Sequence, residues 1–277
     1  MDALNPGAPS VSAAAARFPA RSFISKAEFD EHIREVRDRV DARYQHELEL
    51  ASTESGMSWP GTCAPCLRPT TYTSRTAGGE RLSDGRLLPN WREELFCGCE
   101  DRIDARGRAL LHFTQSVAGL LPATRVLAFG PATPVSRRIG KLATLVHRTR
   151  MLAAAGAHRI DLPGACMQLV VCSDYLNHVP PLDTALAELR RVLARGGQLV
   201  FTAPFRVDLA ETTSRTNQLP QLGGLLPAHY GTAIHDIGWD VLSRLRKAGF
   251  SSAAAYGYWS EELGYLGPFN MIVAATA

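Results

Sequence analysis

The chain has 277 residues, 45% of them hydrophobic, and a formal net charge of +3 at pH 7. This length accommodates one main domain with a buried core and a smaller appendage. Basic residues are scattered along the chain, and no apolar run approaches the roughly 18 residues that a membrane span requires. The composition therefore argues against nucleic acid or a membrane as a partner.

The first 22 residues are rich in Ala, Ser and Pro, a composition typical of a disordered tail. They lack the apolar core of a secretory signal, so we expect a cytoplasmic protein. Arg17 and Arg21 leave a transit peptide as the alternative interpretation of this segment.

Residues 23–50 predict one amphipathic helix. Ser25 followed by Glu28 forms a capping box at its start. Apolar residues then recur at spacings of three and four, which places them on one face of the helix: Phe29, Ile33, Val36, Val40 and Tyr44. We expect that face to pack on the rest of the protein.

Residues 51–105 lose helical periodicity and contain too few apolar residues for an independent core. Four cysteines fall into two tight pairs, Cys63 with Cys66 and Cys97 with Cys99, and 30 residues separate the pairs. Two pairs of thiolates suit a tetrahedral Zn²⁺, and four protein ligands leave no open coordination position. We therefore predict a small module with a structural zinc ion, and free thiols or a redox pair are the alternatives.

Residues 106–277 alternate short apolar strands with helices, the pattern of a doubly wound α/β sheet with parallel strands. Helices are predicted between the strands, one of them being RMLAAAG at residues 150–156. Two strand-like stretches, 252–260 and 270–277, follow each other without an intervening helix. We expect these two to close the sheet as an antiparallel pair.

This region contains an ordered series of motifs: an acidic residue at the third strand, an apolar fourth strand, L-x-H-V, A-L-x-E-L-x-R-V-L and Gly-Gly. They correspond to Asp161, residues 169–173, residues 176–179, residues 185–193, and Gly196 with Gly197. The series resembles class I S-adenosylmethionine-dependent methyltransferases. The segment NWRE-x-L-x-C at residues 90–97 resembles a subgroup of that family with a cysteine-rich module before the methyltransferase domain. The resemblance spans residues 60–277 and implies a Rossmann-like fold with S-adenosylmethionine as cofactor.

The resemblance also assigns the cofactor-binding positions. They lie in the turn after the first strand and at the second, third and fourth strands: Gly130, Pro131, His147, Asp161, Leu162 and Ser173. Asp161 is placed to accept a hydrogen bond from the adenine amine. Ser173 lies at the carboxyl end of its strand, where open α/β sheets bind ligands.

The chain departs from the family pattern around the expected cofactor. Ala128 replaces an acidic residue, and Ala132 and Pro134 replace two glycines. His147 stands where the family has a carboxylate that accepts both ribose hydroxyls, whereas a neutral imidazole accepts one hydrogen bond. Losing two charge-assisted hydrogen bonds costs about 2–4 kcal/mol of binding free energy.

Four residues are candidates for the chemistry: His178, Asp174, Tyr230 and His229. His178 and Asp174 follow the fourth strand, and an imidazole there suits deprotonation of a hydroxyl near neutral pH. A structural histidine and a capping aspartate are the alternatives. Tyr230 and His229 lie in a loop expected to line the acceptor pocket. His229 with His235 could form a second metal site, and exposed loop histidines are the alternative.

Two functions are consistent with these residues. The first is methyl transfer from S-adenosylmethionine to a hydroxyl or amine of a sugar-like or specialised-metabolite acceptor. The second is a methyltransferase-like protein that no longer transfers methyl groups and serves as a binding or scaffold subunit, or catalyses a different reaction. His147 favours the second, whereas Asp161, Ser173 and Asp174 favour the first. The expected partner is a small-molecule acceptor, together with a second copy of the chain or a pathway protein.

Overall fold

The computed structural model describes residues 17–50, 57–74, 79–129, 133–148, 152–154, 157–179, 181–214 and 234–277. The elements of the amino-terminal part are β1 (Ala20–Phe23), α1 (Lys26–Glu35), α2 (Arg37–Glu49), β2 (Met57–Cys63), β3 (Arg68–Ser74), β4 (Glu80–Arg81), β5 (Leu87–Leu88), α3 (Trp91–Glu94), β6 (Leu95–Cys97) and α4 (Ala105–Ser116). Short 3-10 turns at Ala64–Cys66 and, further on, at Leu176–His178 interrupt the connecting loops.

The remaining elements are β7 (Arg125–Phe129), α5 (Pro134–Leu142), β8 (Thr144–Arg148), β9 (Leu152–Ala154), β10 (Ala157–Arg159), β11 (Met167–Ser173), α6 (Leu182–Val192), β12 (Leu193–Thr202), β13 (Thr213–Ser214), β14 (His235–Asp236), α7 (Val241–Lys247), β15 (Ser252–Ser260) and β16 (Tyr265–Thr276). Among the helices in the described ranges, none is both long and apolar enough to cross a membrane.

Seven strands form the central sheet in the order β8-β7-β11-β12-β16-β15-β1. The first four are parallel, and β16, β15 and β1 are antiparallel to their neighbours. The predicted Rossmann-like α/β fold with an antiparallel closing pair is therefore confirmed. The chain passes from β7 to β8 on one side and β11 lies on the other, so β7 marks the point where the strand order reverses. In open α/β sheets, the crevice at this point is where ligands bind.

The helix after β7 explains one departure from the family pattern. Thr133 caps α5 by accepting a hydrogen bond from the Ser136 amide, and the Ser136 hydroxyl accepts one from the Thr133 amide. Pro134 occupies the first turn of this helix, where an amide hydrogen has no partner in the helix. Proline at this position is therefore compatible with the same strand, turn and helix.

The third strand of the predicted sheet is absent from the described part of the central sheet. Residues 152–154 and 157–159 instead pair with each other as the antiparallel hairpin β9-β10. The prediction of a helix over residues 150–156 is wrong for its described residues. The alanines of this segment have a high helix propensity, but they offer no apolar stripe that a helix could bury against the sheet.

The amino-terminal segment differs from the prediction in two respects. The predicted tail ends earlier than residue 22, because Phe18 is buried and Ala20–Phe23 pair with β15 as an additional edge strand. Its residues 1–16 lie outside the described part of the chain. The predicted single helix is divided at Val36, whose ψ of 16° is not helical, into α1 and α2.

The cap of α1 agrees with the sequence pattern. The Ser25 hydroxyl accepts a hydrogen bond from the Glu28 amide, and the Glu28 carboxylate accepts one from the Ile24 amide at 2.9 Å. Phe29 and Val36 are buried, as their spacing predicts, but Tyr44 is 44% exposed. The apolar face therefore packs well along α1 and only partly along α2.

Arg108, on α4, joins the cysteine-containing segment to the sheet. Its guanidinium is completely buried and donates hydrogen bonds to the carbonyls of Leu95 (2.8 Å), Ile103 (2.9 Å) and Gly264 (2.7 Å). It also lies over the Tyr72 ring, 4.5 Å from the ring centroid. Gly264 has a φ of +60°, and a Cβ there would lie 2.8 Å from Arg108 Nη2. The close approach therefore requires glycine.

We expect Arg108→Met to lower the free energy of unfolding by about 3–5 kcal/mol, because three buried carbonyls lose their donor. Denaturant unfolding of the purified protein measures this loss. Arg39→Met, at an exposed position on α2, serves as the matched control and should change stability by less than about 0.5 kcal/mol. Equal stability of the two variants would contradict the role given to Arg108.

Candidate functional site

The four cysteines lie in two turns that one small sheet brings together. Cys63 ends β2 and Cys66 closes the following 3-10 turn, whereas Cys97 ends β6. The strands pair in the order β2-β3-β6, all antiparallel. The sulfur atoms of Cys63, Cys66 and Cys99 lie within 4.8 Å of one another, and Cys97 is hydrogen-bonded to Cys63. The predicted convergence of the two pairs is therefore present.

The electrostatics divide the cysteine cluster, since the pKa values of Cys66 and Cys97 are lowered and those of Cys63 and Cys99 are raised. The Cys63 thiol acts as a hydrogen-bond donor and lowers the pKa of Cys66 to about 6 and that of Cys97 to about 5. The Arg138 guanidinium further lowers the pKa of Cys66. Thiolates are the form that binds metal ions.

The turn between Cys97 and Cys99 is held by backbone hydrogen bonds. The Gly98 amide donates to the Thr71 carbonyl at 2.9 Å and to the Thr70 hydroxyl at 3.0 Å. A Cβ at position 98 would lie 3.1 Å from the Thr71 oxygen, which leaves little room for a larger residue. The glycine thus allows β6 to turn tightly and present both sulfurs on one side.

A charged cluster connects this module to the carboxyl end of β11. The Asp174 carboxylate accepts a hydrogen bond from Arg92 Nη2 at 2.6 Å and lies 3.0 Å from Arg106 Nη1. Arg106 also donates to Glu93 at 2.8 Å and to the Ser173 hydroxyl at 3.2 Å. We call Arg92, Glu93, Arg106 and Asp174 the arginine–carboxylate cluster. It places α3, the start of α4 and the end of β11 against one another.

Burial and charge oppose each other in this cluster. Burial lowers the pKa of Arg106, but the charges of Asp174 and Glu93 outweigh it, so the net shift is upward. Burial raises the pKa of Glu93, and the neighbouring arginines only partly offset that shift. Asp174 is engaged by two guanidinium groups, and the 3-10 turn that follows it has no side-chain cap hydrogen bond.

His178 occupies the 3-10 turn that follows β11. It is half-buried, and its Nε2 lies 3.1 Å from Nδ2 of the Asn177 side chain. The turn is held by β14 and its preceding residue, since the Ile234 amide donates to the Asn177 carbonyl at 2.9 Å and His235 Nε2 lies 3.1 Å from the Val179 carbonyl. His178 therefore sits on a supported turn at the carboxyl edge of the sheet.

Several predicted site residues cannot be compared with the structure. Four of them lie outside the described residues: Gly130, Pro131, His229 and Tyr230. The His147 backbone pairs with Ala128 in β8, but its side chain is likewise outside the described part. The roles assigned to these five residues stay predictions.

Two further predicted cofactor residues lie away from the sheet. Asp161 is exposed in a bend after β10, and Leu162 packs partly against the core. Arg191 on α6 holds this bend by donating to the carbonyls of Ile160 and Leu162, each at 3.0 Å. The structure thus places Ser173 and Asp174 around Arg106 at the end of β11 and His178 in the turn that follows, but it does not place Asp161 on a strand of the central sheet.

Three charged residues of the site, Arg92, Glu93 and Arg106, were not predicted from the sequence. Arg92 and Glu93 belong to the NWRE segment that carried the resemblance, so that motif contained a signal for them. Arg106 has no comparable motif. An aromatic pair was missed as well: the rings of Phe129, at the end of β7, and Tyr175 stack with centroids 5.1 Å apart. The stack lies at the edge between β7 and β11.

Stability should depend on pH through His235. Burial lowers the pKa of this imidazole in the folded protein. Between the ordinary pKa of about 6.5 and the lowered value, the unfolded chain binds a proton that the folded chain does not, so stability falls as the pH drops. His235→Gln keeps a donor for the Val179 carbonyl but does not titrate. Below pH 6.5, the free energy of unfolding of the wild-type protein should fall by up to about 1.4 kcal/mol per pH unit relative to this variant. Urea unfolding at several pH values tests this, and parallel pH profiles would contradict it.

Comparison with known proteins identifies the domain. Residues 116–201 match the family model described as a methyltransferase domain. No curated protein sequence matches the chain at comparable significance.

Solved structures with similarity to the chain include three bacterial methyltransferases. One is an S-adenosylmethionine-dependent methyltransferase from Thermotoga maritima described as a possible histamine N-methyltransferase, with 17% identity, a TM-score of 0.37, and 60% and 88% of the two chains covered. The Mesorhizobium loti enzyme shows 14% identity and a TM-score of 0.39 with 62% and 98% covered. A Bacillus halodurans protein shows 14% identity and a TM-score of 0.37 with 60% and 96% covered.

The matched domain begins at the end of α4 and ends within β12, so it contains the parallel half of the central sheet. That half includes the strand-order reversal at β7 and the carboxyl end of β11. Residues 116–201 of the chain therefore form a methyltransferase domain, and they lie in the parallel half of a Rossmann-like sheet.

Proposed function

We propose that the protein transfers a methyl group from S-adenosylmethionine to a hydroxyl or amine of a small acceptor, sugar-like or a specialised metabolite. The observation that carries the proposal is the methyltransferase domain at residues 116–201, which includes the ligand-binding reversal point between β7 and β11. Acceptor hydroxyls and amines are the groups that a histidine at the end of β11 is suited to activate.

The described residues at this edge are compatible with S-adenosylmethionine. The cofactor combines an apolar purine with an amino-acid end that carries both charges. The stacked rings of Phe129 and Tyr175 are buried and make the protein apolar beneath the crevice beside β7. Arg92 and Glu93 supply charges of both signs beside β11. We assign the amino-acid end to the arginine–carboxylate cluster and Ser173, and His147 remains the candidate acceptor for a ribose hydroxyl.

The protein's own contribution to the reaction is orientation and proton removal. Bound S-adenosylmethionine supplies an activated methyl group on a sulfonium ion. Transfer from such a group depends mainly on in-line positioning of the acceptor, which accounts for a modest number of catalytic side chains. His178 is the residue that we assign to accept the proton of an acceptor hydroxyl, and Asn177 orients its imidazole.

Titration calorimetry with S-adenosylmethionine and S-adenosylhomocysteine tests the cofactor assignment. We expect a Kd between about 1 and 100 μM for both, which corresponds to about −8 to −5.5 kcal/mol of binding free energy. His178→Ala should retain this binding and reduce turnover of a hydroxyl acceptor by about 100-fold. His46→Ala, on α2, is the matched control. No binding at about 1 mM ligand would overturn the proposed function and support a scaffold role.

We also propose that the cysteine cluster binds a structural Zn²⁺ through Cys63, Cys66, Cys97 and Cys99. Structural zinc sites commonly use four sulfur donors. Four protein ligands fill the tetrahedral coordination sphere and leave no position for substrate. Three of the sulfurs already converge, and the turn at Gly98 joins the fourth cysteine, Cys97, to Cys99. The metal would stabilise a segment that has few apolar residues of its own.

Elemental analysis of the purified full chain should find about one zinc per chain. Cys97→Ser should lose the metal and lower the thermal unfolding midpoint, because the module loses a ligand that stabilises its fold. Cys166→Ser, outside the cluster, is the matched control and should retain the metal. A folded wild-type protein without zinc, even after incubation with the metal, would contradict the assignment.

A further inference from the structure

An open groove of about 190 Å³ lies between the amino-terminal helices α1 and α2 and the strands β15 and β16. Its apolar lining consists mainly of Phe29, Ile33, Val40, Trp259, Phe269 and Met271. This volume is smaller than the range of about 300–1,000 Å³ that is usual for small-molecule sites, but a closed cavity of about 150 Å³ holds benzene. An aromatic ring can therefore lie in the groove and extend through its open side.

The groove opens at the same edge of the sheet as the proposed cofactor site. Val273 of β16 pairs with Phe201 of β12, and β12 ends at Thr202. Because the two strands are antiparallel, Phe269 lies beyond the carboxyl end of β12. Aromatic rings lie side by side here. The Phe29 ring centroid is 5.7 Å from that of Phe269 and 5.1 Å from that of Trp239.

The charges around the groove favour an anion. Arg21 and Arg43 are exposed at its rim. Glu47 is the one carboxylate among the described lining residues, and it is only 3% exposed. Its Oε1 accepts hydrogen bonds from Trp259 Nε1 and from the Gly267 amide, both at 2.8 Å. The acidic group is therefore hydrogen-bonded within the protein, whereas the two arginines are exposed to solvent.

A cationic ligand would meet competition at the same place. The Arg43 guanidinium lies over the Trp259 ring, 4.8 Å from its centroid. The face of that ring is the position that would attract a ligand cation. The guanidinium is instead positioned to pair with a carboxylate of the ligand, and its planar donors suit bidentate recognition.

We propose that the groove binds a planar aromatic molecule with an anionic group, such as a hydroxylated aromatic acid. We assign the groove as the methyl acceptor site, and this assignment rests on the proposed methyl transfer. The aromatic body packs between α1 and β15-β16, and the acid pairs with Arg43. The groove deepens the proposed function by selecting aromatic acids over sugars, since its lining combines the rings of Phe29, Trp259 and Phe269 with the Arg43 guanidinium.

Intrinsic fluorescence titration of the full chain with 3-hydroxy-2-naphthoate tests the groove, because Trp259 lines it. The naphthoate should bind about tenfold more tightly than neutral 2-naphthol, the ratio expected for one charge-assisted contact. Arg43→Gln should remove this preference and leave 2-naphthol binding unchanged. Arg39→Gln, on the same helix but outside the lining, is the matched control and should preserve it.

Val40→Trp fills the groove and should abolish binding of both naphthalenes, while circular dichroism verifies that the variant is folded. Equal affinity for the two probes in the wild-type protein, or naphthoate binding that neither Val40→Trp nor Arg43→Gln changes, would overturn the proposal. The outcome is separable from the cofactor titration. Naphthoate binding without S-adenosylmethionine binding would support the groove and overturn methyl transfer, and the reverse result would overturn the groove alone.

Discussion

The buried guanidinium of Arg108 is the constraint on which the arrangement of this protein depends. A charge removed from water is costly unless several donors and acceptors converge on it. Here the carbonyls of Leu95, Ile103 and Gly264 converge, and a tyrosine ring covers the remaining side. These carbonyls belong to the cysteine module, the loop before α4 and the turn before β16. One side chain therefore holds three separate parts of the chain in a single arrangement.

That arrangement makes the cysteine module part of the candidate site. The Arg92 and Glu93 side chains come from the segment directly before β6, whose last residue is Cys97. They reach Asp174 and Arg106 at the carboxyl end of β11. A module that is held in place by metal ligands would thus also hold the arginine–carboxylate cluster in place. Residues 92–97 connect the proposed metal site at Cys97 with the arginine–carboxylate cluster at Arg92.

The amino-terminal segment borders the other end of the same sheet edge, next to β15 and β16. Strand β1 extends the sheet next to β15, and α1 and α2 then cross over the ends of β15 and β16. Glu47 fastens α2 there through two hydrogen bonds to Trp259 and Gly267. The proposed cofactor site and the groove are consequently bordered by additions to the methyltransferase domain, which is where specificity on a shared fold usually resides.

The sequence by itself determined the features that depend on local pattern. The alternation of apolar strands and helices predicted the α/β sheet, the spacing of the cysteines predicted their convergence, and Ser25 predicted the start of α1. Hydrogen bonds and periodicity within a few residues decide such features. Only the tertiary structure decided the rest. The edge strand β1, the hairpin β9-β10 and the pairing of Asp174 with Arg92 depend on contacts between residues far apart in the chain, for which no local pattern exists. The burial of Arg108 is of the same kind, because its three acceptors come from different segments and only the folded chain brings them together.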